Sequence, residues 1–173
     1  ANRIGDEGQG WTYAKYLLEF ERGNAYSAGL MRSLKKVKSI AGVEGQNGGK
    51  LIDDADFLRK INEVEIQVHA LDFTERRFFS RMSTGQRPGA ESSLFKTRGT
   101  ELQQAISELA VEAIQYSCMP FVQAPWEKKN EPWPQPDYAV TTAPYYFNLR
   151  KAAIYAGSNE IQRNIIAKMV LGL

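Results

Sequence analysis

Apolar positions recur along most of this chain at spacings of three, four and seven, the repeat of a helix with one buried face. The pattern is cleanest from about Asp53 to Ser83, where Phe57, Ile61, Val64, Val68, Leu71, Phe78 and Met82 form one stripe. A second stripe, Phe95, Leu102, Ile106, Leu109, Ala113 and Ile114, marks a helix from about Glu91 to Ser117. A first helix is predicted from about Trp11 to Ala41, entered through the glycine-rich Ile4–Gly10 segment. Gly23 and Gly29 are its weak points, each costing about 1 kcal/mol relative to Ala. A last helical region runs from about Tyr145 to the C-terminus, interrupted near Gly157. Between these lie two turns, the glycine-dense Gly42–Gly49 and the Thr84–Gly89 segment. Met119 to Pro144 holds six of the seven prolines, which excludes regular helix there. Phe121, Trp126, Trp133 and Tyr138 lie among them, so the segment reads as a packed surface loop rather than a linker. No run alternates with strand period. The pattern predicts an all-α fold, an antiparallel four-helix bundle, in one domain spanning residues 1–173 with 119–144 as a Pro-rich loop insertion.

Composition narrows the function classes. With 173 residues, 43% hydrophobic and 24% charged, the chain has the makeup of one soluble globular domain. A net charge of +2 gives no argument for nucleic acid or a membrane surface. There is no uninterrupted apolar run of transmembrane length. The single cysteine, Cys118, excludes an internal disulfide and fits a reducing, cytoplasmic compartment. The polar opening at Ala1 carries no signal peptide, and the missing initiator Met points to a piece of a longer chain or a processed product. Metal chemistry of the bundle type needs Glu-x-x-His pairs, and the lone His69 with Glu65 four residues earlier does not make one. Cys118 has no adjacent base, and Gly42–Gly49 lacks both the preceding strand and the Gly-Lys-Ser/Thr ending of a phosphate loop. The basic group Arg32, Lys35, Lys36 and Lys38 reads as a solvated face, with a phosphate contact as the weaker alternative.

One carboxylate breaks the pattern. In the first helix Ala14, Leu18, Glu21, Ala25 and Ala28 recur at four, three, four and three, an inward stripe that contains Glu21. Small residues follow it and leave volume beside the carboxylate. Burial raises a carboxyl pKa, and a carboxylate beside a cavity suits proton abstraction next to a carbonyl. An ion pair with Arg22, Lys15 or a neighbouring helix would explain Glu21 equally well.

Two segments carry a family resemblance. The end of the chain, Ile154-Tyr-Ala-Gly-Ser-Asn-Glu-Ile-Gln-Arg-Asn164 onward, is similar to the terminal signature of the acyl-CoA dehydrogenases. Residues Gly8 to Gly23 resemble the first bundle helix of that family's C-terminal helical domain. In most members the terminal signature carries the catalytic carboxylate where this chain has Ala156. In the isovaleryl-CoA and long-chain branches the base lies on the first bundle helix, directly before an arginine, and the matching residues here are Glu21 and Arg22. The resemblance therefore implies Glu21 as base, Ala156 as a backbone N–H donor to a thioester carbonyl, and Arg22, Tyr155 and Gly157 on the substrate side. It implies FAD as cofactor, contacted by Gln115, Ser158, Asn159 and Glu160. Ser158 also suits a helix N-cap, and Arg22 an ion pair with Glu19 or Asp6.

The middle of the chain departs from the family. An Arg-x-x-Phe-Gly run is replaced by Gly45-Gln-Asn-Gly-Gly-Lys50, and the paired glycines after Gln115 by Tyr116-Ser-Cys-Met-Pro120. Both losses touch FAD contacts made across subunits. The implied function is the C-terminal domain of a longer FAD-dependent acyl-CoA dehydrogenase that oxidises the Cα–Cβ bond of an acyl-CoA to the trans-2-enoyl-CoA, inactive as an isolated fragment. The alternative is a non-catalytic or half-site subunit of a hetero-oligomer. Implied partners are the acyl-CoA, an electron-transfer flavoprotein and further subunits in a homo- or hetero-oligomeric dimer or tetramer.

Overall fold

A computed structural model describes residues 2–21, 24–45, 49–121 and 135–173, without the side chains of residues 19–21. Among these residues the chain is all-helical. Helix α1 spans Gly10–Glu21, α2 Ser27–Ala41, α3 Ala55–Ser83, α4 Glu91–Ile114, α5 Asp137–Val140, α6 Thr142–Leu149 and α7 Asn159–Ile166. Short 3-10 turns follow α4 at Gln115–Cys118 and α6 at Arg150–Ala153. The C-terminal end is a π-type turn, Ala167–Leu171.

The bundle is α2, α3 and α4, with α6 and α7 together taking the place of a fourth helix. Helix α4 is central and packs against α2, α3, α6 and α7. The α3 stripe is buried from Phe57 to Phe78, with Met82 packing at its edge, and every residue of the α4 stripe is buried. Asp54 starts α3 by accepting from the Phe57 N–H at 2.8 Å, the usual work of an N-cap. The ring of Phe95 meets Phe78 edge-on at 5.1 Å between centroids.

Three expectations are corrected. The first helix is not continuous from Trp11 to Ala41. It stops at Glu21 and restarts at Ser27, because the buried Glu75 of α3 takes the Tyr26 and Ser27 N–H groups that an unbroken helix would have turned back on itself. The inward stripe does not survive this break. Ala14 and Leu18 are half-buried, Ala25 and Ala28 are exposed, and the core face of α2 is Ser27, Leu30, Leu34, Val37 and Ile40. The third helix ends at Ile114 rather than Ser117, since Gln115 adopts a left-handed φ of 55° and the chain tightens into a 3-10 turn.

The third correction concerns the Pro-rich segment, which ends in helix. Pro144 lies in the first turn of α6, where N–H groups have no intrahelical acceptor and a proline costs nothing. Tyr138 packs against the core and donates from its hydroxyl to Glu44, tying α5 to the chain beyond α2. Phe121 is exposed, and Trp126 and Trp133 lie outside the described residues.

Candidate functional site

The terminal signature forms a turn between the 3-10 segment Arg150–Ala153 and α7. Ala156 has φ 55° and Gly157 φ 85°, two successive left-handed residues. Glycine enters that region freely, whereas an alanine there costs roughly 1–2 kcal/mol. The conformation is held from outside. Lys96, fully buried on α4, donates from Nζ to the Ala152 carbonyl and to Asn159 Oδ1, each at 3.0 Å. Thr100 adds a bond from Oγ1 to Asn159 Oδ1 at 3.2 Å. Gln162, fully buried on α7, donates from Nε2 to the Gly157 carbonyl at 3.3 Å. Ala152 and Asn159 flank the turn, so the Lys96 ammonium bridges its two ends.

The turn leaves its own donor unspent. Among the described residues, the Ala156 N–H reaches no protein acceptor, and Ala156 is exposed. Tyr155, half exposed, stands beside it. Ser158 Oγ accepts from the Ile161 N–H at 3.5 Å and caps α7. Glu160 is exposed in the first turn of α7. A bond from its own backbone amide, aided by Ser158, Arg163 and Lys96, holds its carboxyl below the ordinary range. Burial pushes the Lys96 ammonium down in pKa, and Glu160 pulls partly the other way.

A second polar centre joins α2 and α3. Glu75 accepts from the Tyr26 N–H at 2.7 Å and from Ser27 N–H at 3.2 and 3.3 Å. Ser27 Oγ donates to Asp72 Oδ1 at 3.0 Å, and Arg76 Nε to Asp72 Oδ2 at 2.8 Å. The Arg76 bond, then Ser27, lowers the Asp72 pKa. The Tyr26 ring lies against Gly99 of α4, where an added Cβ would come within 2.3 Å of it. Burial raises the Tyr26 hydroxyl pKa, and the charges of Tyr155 and Glu75 raise it further.

From Asn24, Ala25 and Tyr26 a cleft of about 580 Å³ runs between α2, α4 and α6. Its floor is Leu30, Val37 and Ile106, and Lys36 stands at its wall. Gln103 Oε1, also in the lining, is buried without a hydrogen-bond partner among the described residues. The size is that of a small-molecule site, with an apolar floor and walls that carry polar side chains such as Asn24, Ser33 and Thr142.

Of the residues expected at the site, Tyr155, Ala156, Gly157, Ser158, Asn159 and Glu160 come together on the terminal turn. Asn159 is buried and its carboxamide oxygen is spent on Lys96 and Thr100. Gln115 lies at the end of α4, on a different element. Arg22 and the Glu21 side chain lie outside the described residues; the Glu21 backbone closes α1. Sequence reading missed Glu75, Lys96, Thr100 and Gln162. A signal existed for two of them: Glu75 falls between Leu71 and Phe78 on the buried α3 face, and Lys96 is followed on α4 by the small residues Thr97, Gly99 and Thr100.

The chain belongs to the acyl-CoA dehydrogenase family: the description "Acyl-CoA dehydrogenase, C-terminal domain" matches residues 8–171. Among solved structures it is similar to PigA with FAD and proline, at TM-score 0.77 and 20% identity over 99% of this chain and 41% of that one. It is similar to the ChsE4–ChsE5 complex from Mycobacterium tuberculosis, at TM-score 0.76 and 26% identity over 99% of this chain and 43% of that one. Butyryl-CoA dehydrogenase from Megasphaera elsdenii follows at TM-score 0.74 and 17% identity, over 98% and 41%. The chain thus spans about two fifths of the length of these structures. Among curated protein sequences none matches it. No helix among the described residues is long and apolar enough to cross a membrane.

Proposed function

We propose that residues 1–173 are the C-terminal helical domain of a longer FAD-dependent acyl-CoA dehydrogenase that oxidises the Cα–Cβ bond of an acyl-CoA thioester to the trans-2-enoyl-CoA. The observation that carries this reading is the unspent Ala156 N–H on a braced left-handed turn. A thioester carbonyl gains negative charge as the α-proton leaves, and a fixed N–H aimed at it stabilises that charge without reorganisation. Glu21, three residues before the cleft opens at Asn24, removes the α-proton. The cleft gives room for the acyl group, Tyr155 and Gly157 border the thioester, and Arg22 lines the side from which the nucleotide part of CoA enters.

FAD supplies the hydride acceptor when bound. The described residues fit it at one edge: Glu160 is exposed at the start of α7, Ser158 is half-buried beside it, and Gln115 holds a left-handed bend at the end of α4. Asn159 contributes by holding the turn. The fit fails elsewhere, at Gly45–Lys50 and Tyr116–Pro120, where the family's Arg, Phe and glycines are absent. This favours a second reading, a half-site or non-catalytic subunit in a hetero-oligomer, which the likeness to a complex named for two components, ChsE4 and ChsE5, also supports. Under either reading the partners are further subunits and an electron-transfer flavoprotein, in the cytoplasm.

The test is Glu21→Gln in the full-length chain with its co-expressed partners, followed by flavin bleaching with a panel of acyl-CoA thioesters. Loss of turnover by about 1,000-fold or more supports Glu21 as base, a large share of what general-base catalysis contributes. Turnover at the parent rate supports the non-catalytic subunit instead.

A further inference from the structure

A lysine with no hydrogen bond to a carboxylate is costly to bury, and α4 buries one. Lys96 Nζ donates to a backbone carbonyl and a carboxamide oxygen, both at 3.0 Å, and to no acid. A leucine or methionine would fill the space without desolvating a charge, so the ammonium has to be explained by what it holds. Its two acceptors lie on either side of the Ala156–Gly157 turn. Ala152 is the penultimate residue of the preceding 3-10 segment, and the end of such a segment carries partial negative charge. Asn159 opens α7 and accepts a second bond from Thr100.

The distance between the ends of the turn is therefore set by one atom on a rigid helix. Ala156 by itself favours leaving the left-handed region. The exit requires the ends of the turn to move relative to one another, and the bridged acceptors oppose that. The Gln162 bond to the Gly157 carbonyl fixes the last peptide of the turn in the same frame.

We propose that Lys96 is a positioning residue, which holds the Ala156–Gly157 turn so that the Ala156 N–H stands fixed at the reacting carbonyl. The catalytic part of this inference rests on the function proposed above; the mechanical part does not. Lys96 touches neither substrate nor cofactor and acts through the turn alone.

The experiment uses the full-length protein carrying Lys96→Met, Asn159→Ala or Asn159→Asp, with Glu21→Gln alongside. Amide hydrogen exchange is read at Ile154 and Tyr155, whose N–H groups bond the Lys151 carbonyl, and, as a reference, along α3. Lys96→Met and Asn159→Ala are expected to speed exchange at these two amides by about tenfold or more while α3 is unchanged, the signature of a local opening. Asn159→Asp keeps an acceptor for the ammonium and is expected to restore slow exchange. In turnover, Lys96→Met is expected to lower kcat by about 100-fold with KM changed little, as for loss of a transition-state donor. Should Lys96→Met fail to fold, Asn159→Ala carries the same readouts. Parent exchange rates at the turn, or a uniform rise that includes α3, overturn the proposal. So does a Lys96→Met or Asn159→Ala protein with parent kcat when Glu21→Gln is inactive. Faster exchange at the turn in a protein where Glu21→Gln costs nothing supports the clamp and removes the function it was built on.

Discussion

The helical path is interrupted twice near the candidate site, between α1 and α2 and between α6 and α7, and a buried ionisable side chain from a central helix manages each break. At the first, the Glu75 carboxylate meets the N–H groups that start α2. At the second, the Lys96 ammonium meets a carbonyl that ends a helical segment. Each charge complements the dipole of the terminus it meets. Their geometry differs in one respect. Both groups that Glu75 binds belong to the start of one helix, so it sets where α2 begins. Lys96 binds both sides of its break, so it sets the shape of the chain in between. The first device positions a helix; the second positions a turn.

Substitutions can sharpen or break that contrast. The largest effect is expected from Glu75→Ala, which leaves two N–H groups at the start of α2 without their acceptor. A loss of about 3 kcal/mol should appear in urea denaturation, against about 1 kcal/mol for Glu75→Gln, which keeps an acceptor oxygen. Equal losses for the two would show that the carboxylate's charge, not its bonds, holds the helix start. Next comes Gly99→Ala. Its Cβ would overlap the Tyr26 ring, so a cost of about 2 kcal/mol is expected in thermal unfolding. A near-neutral result would mean that Tyr26 is loosely placed against α4.

A smaller effect of opposite sign is expected at the turn. Ala156→Gly removes the left-handed penalty and should stabilise by about 1 kcal/mol, less what glycine adds to the unfolded chain's freedom. Destabilisation there would show that the Ala156 methyl makes contacts that outweigh its strain. The smallest effect is a pH response. The bond to Glu44, then burial, raises the Tyr138 hydroxyl pKa from 10.0 to about 12. The folded-state pKa is raised, so this contribution is complete below about pH 10 and is lost as pH rises through about 12. Absorbance titration of parent and Tyr138→Phe proteins should show Tyr138 as a late-titrating phenol. An ordinary titration would place the hydroxyl in water and detach α5 from the chain beyond α2.

The same contrast marks how far sequence reading reached. The α3 and α4 stripes predicted the bundle residue by residue, because apolar periodicity is a local property. Glu75 and Lys96 were passed over because periodicity assigns a charged residue to solvent, and their partners lie 49, 56 and 63 positions away. Without Glu75 nothing in the sequence forces the helix to restart at Ser27. Pro144 was read as a helix breaker since its place in a first turn depends on where α6 starts. At the site, the terminal signature located the turn. That Ala156 would share the left-handed region with Gly157 was not legible, because alanine enters it only when something distant insists.

Helix α7 packs chiefly on α4, whereas α4 itself joins nearly every part of the bundle. The terminal segment has that surface to dock on, so the dependence runs one way. An error in the core removes the surface on which the turn rests, while an error in the turn leaves the core's own contacts in place.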